Sequence, residues 1–165
     1  MQDLAMSRGQ TESADFDALI GPHLDAGYRT ALAILRDPDA ARDAVQEASF
    51  KAWRKLNQLH EGKPARPWFL AIVANECRSE RRRHWWSVIR MPDVASARTD
   101  VEPDSIDINR ELAKLPHEDR LALFLYFYLD LPLEDVATVL GLSAAGAKTR
   151  VYRAARKLRP GLELD

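Results

Sequence analysis

Apolar residues recur at spacings of three and four through most of this chain, and strand signals are nearly absent. Such spacing is typical of amphipathic helices, and it runs from Asp15 to about Arg83 and again from about Ile106 to Leu158. The segment between them, SVIRMPDVASARTDVEPDS, is rich in Ser, Asp and Pro, and this composition indicates a linker. The sequence therefore predicts an all-α protein, with two small helical domains joined by a flexible linker.

These patterns divide the chain into four parts. We expect a disordered tail over 1–14, a first domain over 15–86, a linker over 87–105 and a second domain over 106–160. At 165 residues and 46% hydrophobic, the chain can bury one ordinary core or two small ones. Pro22 lies inside the first helical pattern and predicts a kink or a break there.

The composition excludes several classes of function. A single cysteine, Cys77, rules out an internal disulfide and a zinc site built on several thiolates, and the four histidines are too scattered for a metal site. Because no nucleophile is paired with a base and no glycine loop suits a phosphate, we expect no enzyme activity and no cofactor. The longest apolar run, LALFLYFYL at 121–129, is shorter than the ~20 residues that span a bilayer and predicts a buried helix. With no apolar signal core near the N-terminus, we expect a cytoplasmic protein without membrane insertion.

The stretch LPLEDVATVLGLSAAGAKTRVYRAARKLR at 131–159 has the features of a helix-turn-helix. Pro132 suits the first position of a short helix, Gly141 supplies a turn, and Ser143 suits the N-cap of a second helix. The second helix has one apolar stripe, which consists of Ala147, Val151, Ala154 and Leu158. In such a motif the second helix enters the major groove of DNA.

Positive charge is concentrated in that second helix. The whole chain is almost neutral, with Lys+Arg 24 against Asp+Glu 25, yet residues 140–160 contain six bases and no acid. This favours contacts with DNA phosphates and a few base edges, although a solvated basic helix in a bundle is the alternative. The candidate DNA-contacting residues are Ser143, Lys148, Thr149, Arg150, Tyr152, Arg153 and Arg156.

A helix in the first half has an unusual face opposite its apolar stripe. RDPDAARDAVQEASFKAWRKL begins with Asp37 as a candidate N-cap, followed by Pro38. The face opposite the stripe holds Asp39, Asp43, Gln46, Glu47 and Phe50, with Trp53 towards one edge. This face is either a docking surface for a basic partner protein, or its aromatic residues are covered by a further helix as part of the core.

The next helix, in RPWFLAIVANECRSERRRHWW, has a second polar face. Phe69, Leu70, Val73 and Cys77 share its apolar side, so Cys77 is expected to be a core residue and not a reactive thiol. The polar side consists of Asn75, Arg78, Ser79 and Arg82, with Trp68 at its margin. These residue types suit unpaired nucleic-acid bases, whereas a solvated arginine cluster at a helix C-terminus is the alternative.

Taken together, the chain resembles a bacterial sigma factor of the extracytoplasmic-function type, the minimal form with only sigma regions 2 and 4. Three stretches carry the resemblance. DAVQEASFKAW (43–53) is similar to the family's core-polymerase-binding helix, PWFLAIVANECRSERRR (67–83) to the helix that opens the −10 element, and 131–159 to the helix-turn-helix that contacts the −35 element.

The resemblance implies a role for each candidate residue. Core RNA polymerase would be contacted by Asp39, Asp43, Gln46, Glu47 and Phe50. Melted −10 DNA would be contacted by Trp68, Asn75, Arg78, Ser79 and Arg82. Duplex −35 DNA would be contacted by the candidate DNA-contacting residues named above for the helix-turn-helix. The loop NQLHEGKPAR (57–66) would capture an extruded base, and the linker would run through the polymerase. An anti-sigma factor is a further implied partner.

Two other classes of protein remain open on the residues alone. A stand-alone helix-turn-helix regulator would bind a palindromic operator as a homodimer without polymerase. A helical adaptor protein would use Phe50 and its acidic surroundings for protein contacts and would show no salt-dependent affinity for DNA.

Overall fold

The computed structural model describes residues 12–59, 62–90 and 106–158, and within these ranges the chain forms helices and short turns without a strand. The helices are α1 (12–20), α2 (Leu24–Leu35), α3 (Pro38–Arg54), α4 (Ala65–Arg90), α5 (Ile106–Lys114), α6 (His117–Leu123), α7 (Leu133–Leu140) and α8 (Ala144–Leu158). The predicted all-α fold is confirmed. Helix α1 begins within the predicted tail and α4 continues to Arg90 in the predicted linker, whereas 1–11 and 91–105 lie outside the described residues.

The ends of the first helices follow from local sequence. A short 3₁₀ turn, Gly21–His23, separates α1 from α2, so the break predicted at Pro22 is confirmed. Asp37 lies in the extended region immediately before α3, and its Oδ1 accepts hydrogen bonds from the backbone N–H groups of Asp39 (2.9 Å) and Ala40 (3.0 Å). The predicted N-cap is therefore also confirmed.

Helices α2, α3 and α4 pack against one another through small residues. The apolar side of α3 is buried at Ala41, Ala44, Ala48 and Ala52. In α2, Gly27 is buried beneath the ring of Phe69, so a Cβ atom there would lie 2.8 Å from Phe69 Cε1. Because these side chains are small, α4 packs closely against α2 and α3. This packing fixes the orientation of the polar side of α4.

The apolar run at 121–129 is only partly buried, so the prediction of a buried helix is wrong for its second half. Leu121 and Leu125 are buried, but Phe127 and Tyr128 are 62% and 58% exposed. After α6 the chain widens into a π-helical segment, Phe124–Tyr128. Nine consecutive apolar residues cannot all lie on the core side of a helix, and the last aromatic residues therefore face solvent.

The two groups of helices, α1–α4 and α5–α8, lie directly against each other. Helix α4 packs against α7, and α2 packs against α6. One continuous cluster of buried residues includes Leu70 of α4, Leu121 of α6 and Val136 of α7. At the edge of this contact Arg29 Nη1 donates a hydrogen bond to Tyr128 Oη at 2.5 Å. None of the helices in the described ranges is long and apolar enough to cross a membrane.

Candidate nucleic-acid and protein interfaces

Helices α7 and α8 form the predicted helix-turn-helix. Gly141 ends α7 in the left-handed region (φ 69°, ψ 35°), a conformation that glycine adopts without strain. Ser143 Oγ accepts a hydrogen bond from the Gly146 N–H at 3.1 Å, so Ser143 caps α8 as predicted. Pro132 lies one position before α7 instead of at its first residue, because its backbone (φ −56°, ψ 151°) is extended.

One face of α8 is exposed and carries positive charge. Ala147, Val151 and Ala154 are buried against the rest of the domain. The opposite side, here called the α8 face, consists of the exposed residues Lys148, Thr149, Tyr152, Arg153 and Arg156. Because α8 contains no acid, every charged side chain on this face is positive.

Two further bases of α8 have partners within the protein. Lys157 Nζ lies 2.7 Å from Asp119 Oδ2 of α6, and the Asp119 side chain is only 6% exposed. Arg150 is half-buried, with its Nη1 4.0 Å from Glu118 Oε2. Of the predicted DNA-contacting residues on α8, Arg150 therefore does not share the α8 face, whereas Ser143 is exposed at the start of the helix.

The polar side of α4 brings the predicted −10 residues together, and two hydrogen bonds link them in pairs. Arg78 Nη1 donates to Asn75 Oδ1 at 2.8 Å, and Arg82 Nη2 donates to Ser79 Oγ at 3.2 Å. Asn75 and Arg82 are exposed, Ser79 is half-buried, and Trp68 packs against the hydrophobic core. In the loop 57–66, residues 60 and 61 lie outside the described residues.

Arg78 also forms an ion pair that sequence reasoning missed. Its Nε and Nη2 donate to Glu118 Oε1 (2.7 Å) and Oε2 (3.0 Å) of α6, and His117 Nε2 lies 3.3 Å from Glu118 Oε1. We call Arg78, His117, Glu118 and Arg150 the inter-domain cluster. In the sequence Glu118 was only one of many acids between 93 and 119, and nothing local indicates that it meets α4.

The inter-domain cluster holds the Glu118 carboxylate in its charged form. Burial alone would raise the pKa of Glu118, but the hydrogen bonds and charge of Arg78 outweigh burial, with smaller contributions from His117 and Arg150. The net pKa of Glu118 lies below its ordinary value of 4.5. The ion pair with Arg78 is therefore intact at neutral pH.

The predicted docking face of α3 is exposed. Phe50 is 56% exposed, and the Arg54 guanidinium lies 5.5 Å from the centre of its ring. The other residues of this face, Asp39, Asp43, Gln46 and Glu47, are also exposed. Trp53 differs, because the ring of Phe16 meets it edge-on at 5.3 Å. Of the two alternatives for this face, covering by a further helix thus applies to Trp53 in part and not to Phe50.

Cys77 is a core residue, in line with its position on the apolar side of α4. Its side chain is fully buried, and burial raises the pKa of the thiol to about 12, with the neighbouring Glu76 adding to the effect. The reactive thiolate form is therefore suppressed.

Two family models match the chain, in the same order as the two helical groups. The model for Sigma-70 region 2 matches residues 19–87, and the model for Sigma-70, region 4 matches residues 105–158. The chain belongs to the sigma-70 family. The resemblance proposed from the sequence is thereby confirmed.

Individual relatives place this sigma factor within the extracytoplasmic-function group. It is 28% identical to RNA polymerase sigma factor SigV of Bacillus subtilis, over 93% of this chain and 95% of SigV. It is 29% identical to the ECF RNA polymerase sigma factor SigL of Mycobacterium tuberculosis, over 92% and 91% of the two chains. The structure is similar to that of RpoE from Bartonella quintana, solved with the anti-sigma factor NepR, with a TM-score of 0.79 and 27% identity over 92% and 98% of the chains. The protein is an RNA polymerase sigma factor.

Proposed function

We propose that this sigma factor docks on core RNA polymerase through α3 and directs it to promoters whose −10 element is contacted by α4 and whose −35 element is contacted by α8. The observation that carries the proposal is the α8 face. It is exposed, contains no acid, and belongs to a helix-turn-helix whose turn and cap are both formed. Such a surface fits the major groove of duplex DNA.

The candidate −35 residues differ in the length of their side chains. Lys148, Arg153 and Arg156 are long cations that suit phosphate contacts or bidentate contacts to guanine. Ser143 and Thr149 are short polar residues, at the start and in the first half of the helix, and base edges are contacted from its N-terminal part. We assign to these residues the positioning of the −35 duplex and part of its sequence preference.

The α4 residues suit a different form of DNA. Asn75 and Arg82 are exposed on one side of the helix, and amide and guanidinium groups can hydrogen-bond or stack on bases that have left the duplex. Unstacking costs about a few kcal/mol per step, so capture of the released bases has to offset it. We infer that α4, together with the adjoining loop, holds the melted −10 strand.

Docking on the polymerase would use the exposed face of α3. Asp43 and Glu47 make no ion pair within the described ranges, so both carboxylates are available to a basic partner surface. Phe50 lies beside them and offers an aromatic anchor, the type of residue that dominates binding energy at interfaces. The polymerase performs the chemistry, and the sigma factor acts in the cytoplasm as a specificity subunit without catalysis of its own.

We further propose that an anti-sigma factor controls this protein. The support is the relationship to RpoE of Bartonella quintana, which was solved in complex with the anti-sigma factor NepR. The alternative of a stand-alone regulator also leaves the exposed aromatic and acidic face of α3 unexplained.

A pull-down with core RNA polymerase, followed by transcription from a library of genomic fragments, tests the proposal. Wild-type protein should bind stoichiometrically and produce discrete new start sites. Phe50→Ala should abolish binding without loss of fold, whereas Leu24→Ala, which removes an exposed apolar side chain outside the α3 face, should bind normally. Normal binding by Phe50→Ala would refute the docking role.

A further inference from the structure

Three arginines from three helices meet near the C-terminal end of α2. Arg36 is the C-cap residue of α2, Arg81 lies on α4 and Arg120 lies on α6. The Nη1 group of Arg81 donates a hydrogen bond to the backbone oxygen of Ile34 at 3.4 Å, and α2 packs against both α4 and α6. We call Arg36, Arg81 and Arg120 the arginine cluster.

Among the described residues, Arg120 has no acceptor for one of its buried N–H groups. Its Nη1 donates to the backbone oxygen of Leu115 at 3.1 Å, but its Nε is buried without a hydrogen-bond partner. Burial lowers the pKa of Arg120, and the charges of Arg36 and Arg81 lower it further. A half-buried cation beside like charges is unfavourable unless an acceptor or an anion offsets the cost.

The acids next to the arginine cluster are engaged elsewhere. Asp37 caps α3, Glu80 pairs with a base of its own helix, and Asp119 pairs with a base of α8. Glu118 accepts two hydrogen bonds from Arg78. Within the described ranges none of the ion pairs involves a member of the arginine cluster. The cluster is therefore a local excess of positive charge.

The backbone at Arg36 is unusual for an arginine. Arg36 ends α2 in the left-handed region (φ 56°, ψ 25°), where glycine is the usual residue because a side chain is strained there. The Arg36 side chain is exposed. Packing therefore does not explain why an arginine occupies this position, whereas a ligand that needs its charge would.

We propose that the arginine cluster binds a small anion with a diphosphate group, of the class of pyrophosphate or a nucleoside polyphosphate. Planar guanidinium groups match phosphate oxygens with paired hydrogen bonds. One phosphate carries a charge of about −2 at neutral pH, so two linked phosphoryl groups match a cluster of three cations better than one does. A small anion can also reach the half-buried Arg120 more readily than a DNA backbone can. The cluster contains none of the residues assigned above to polymerase or promoter DNA.

The test is isothermal titration calorimetry of the full-length protein with sodium pyrophosphate at fixed ionic strength. We expect saturable binding by wild type, and binding about tenfold weaker in Arg36→Gly and in Arg81→Gln, because each variant loses a charged hydrogen-bond donor. Arg42→Gln is the matched control, since it removes an exposed arginine that pairs with Asp39 on α3, and it should bind as wild type does. Inorganic phosphate should bind more weakly than pyrophosphate.

Thermal unfolding separates binding from a structural role of Arg36. Arg36→Gly relieves the left-handed backbone, so its unfolding midpoint without ligand should equal or exceed that of wild type. An anion that binds only the folded state raises the midpoint as its concentration increases. Pyrophosphate should therefore raise the midpoint of wild type and of Arg42→Gln, and should raise that of Arg36→Gly much less.

Two outcomes would overturn the proposal. Equal weakening of pyrophosphate binding in the cluster variants and in Arg42→Gln would indicate attraction by overall charge without a site. No saturable binding by wild type would leave the cluster as cations that stabilise the C-terminus of α2, or as contacts to DNA phosphates if Arg36→Gly also weakened holoenzyme binding to a promoter. Because the calorimetry includes neither polymerase nor DNA, its result is independent of the proposed function.

Discussion

Lys157 of α8 is joined to Asp119 of α6 by an ion pair of 2.7 Å, and the aspartate is almost completely buried. The basic helix therefore has two kinds of cation. Lys148, Arg153 and Arg156 face solvent, whereas Lys157 holds α8 against α6. Concentrated positive charge in this stretch thus serves the packing of the domain and also supplies the exposed cations of the proposed DNA contact.

We expect Lys157→Ala to lower the free energy of unfolding by ~1–3 kcal/mol, because it leaves the buried Asp119 carboxylate without its cation. Lys148→Ala is the matched control, since Lys148 is exposed on the same helix and has no ion pair within the described residues. Urea denaturation of both variants measures the difference. Equal stability of the two would contradict a packing role for Lys157.

Arg153→Ala should weaken use of the −35 element by ~1–3 kcal/mol at promoters with the preferred base and less at others, if Arg153 contacts a base edge. Arg156→Ala, on the same face, is expected to weaken binding uniformly and to reduce the salt dependence, as loss of a phosphate contact does. Holoenzyme binding to a set of −35 variants at several salt concentrations separates the two. A uniform loss for Arg153→Ala would assign it to phosphate.

The local sequence pattern was sufficient to predict which sides of α3, α4 and α8 are buried, because the period of apolar residues determines which side of a helix faces the core. The local pattern could not predict the ion pair of Arg78, because its partner Glu118 lies 40 positions away in sequence. An isolated charge has no periodicity, so its partner is fixed only when two helices pack. For the same reason the sequence could not show that the two predicted domains share one core, nor that Phe127 and Tyr128 face solvent.

Gly27→Ala should destabilise the fold even though alanine is the better helix former by ~1 kcal/mol. The added Cβ atom would lie 2.8 Å from the Phe69 ring, which is fully buried and cannot swing aside. Overpacking of this kind costs about 1–3 kcal/mol, so we expect a net loss. Gly146→Ala is the control, because its nearest neighbour is the exposed Ser143 side chain at 3.2 Å. Thermal unfolding of both variants measures the effect, and an unchanged midpoint for Gly27→Ala would show that α2 and α4 can separate without cost.

The stability of the protein should fall as the pH is lowered below 6.5, and His117 should account for part of the loss. Burial, followed by the nearby Arg81 guanidinium, holds the pKa of His117 below its ordinary value of 6.5 despite the opposing charge of Glu118. The folded chain thus binds a proton on His117 less readily than the unfolded chain does. This contribution is fully present above pH 6.5 and is lost as the pH falls through the lowered pKa of the folded state.

His117→Gln should reduce this pH dependence, because glutamine stays neutral throughout. The pKa of His23 is also lowered, by burial and then by Arg66. His23→Gln should therefore remove a second, separate part of the pH dependence of stability, and the double variant should remove both parts. Urea denaturation at about pH 7.5 and about pH 5.5 gives the difference in the free energy of unfolding for each variant. The Glu118–Arg78 pair should not contribute in this window, since the pKa of Glu118 lies below 4.5 and its contribution is lost only at more acidic pH. A pH dependence in His117→Gln as steep as in wild type would show that a protonated His117 is tolerated beside Arg78 and Arg81.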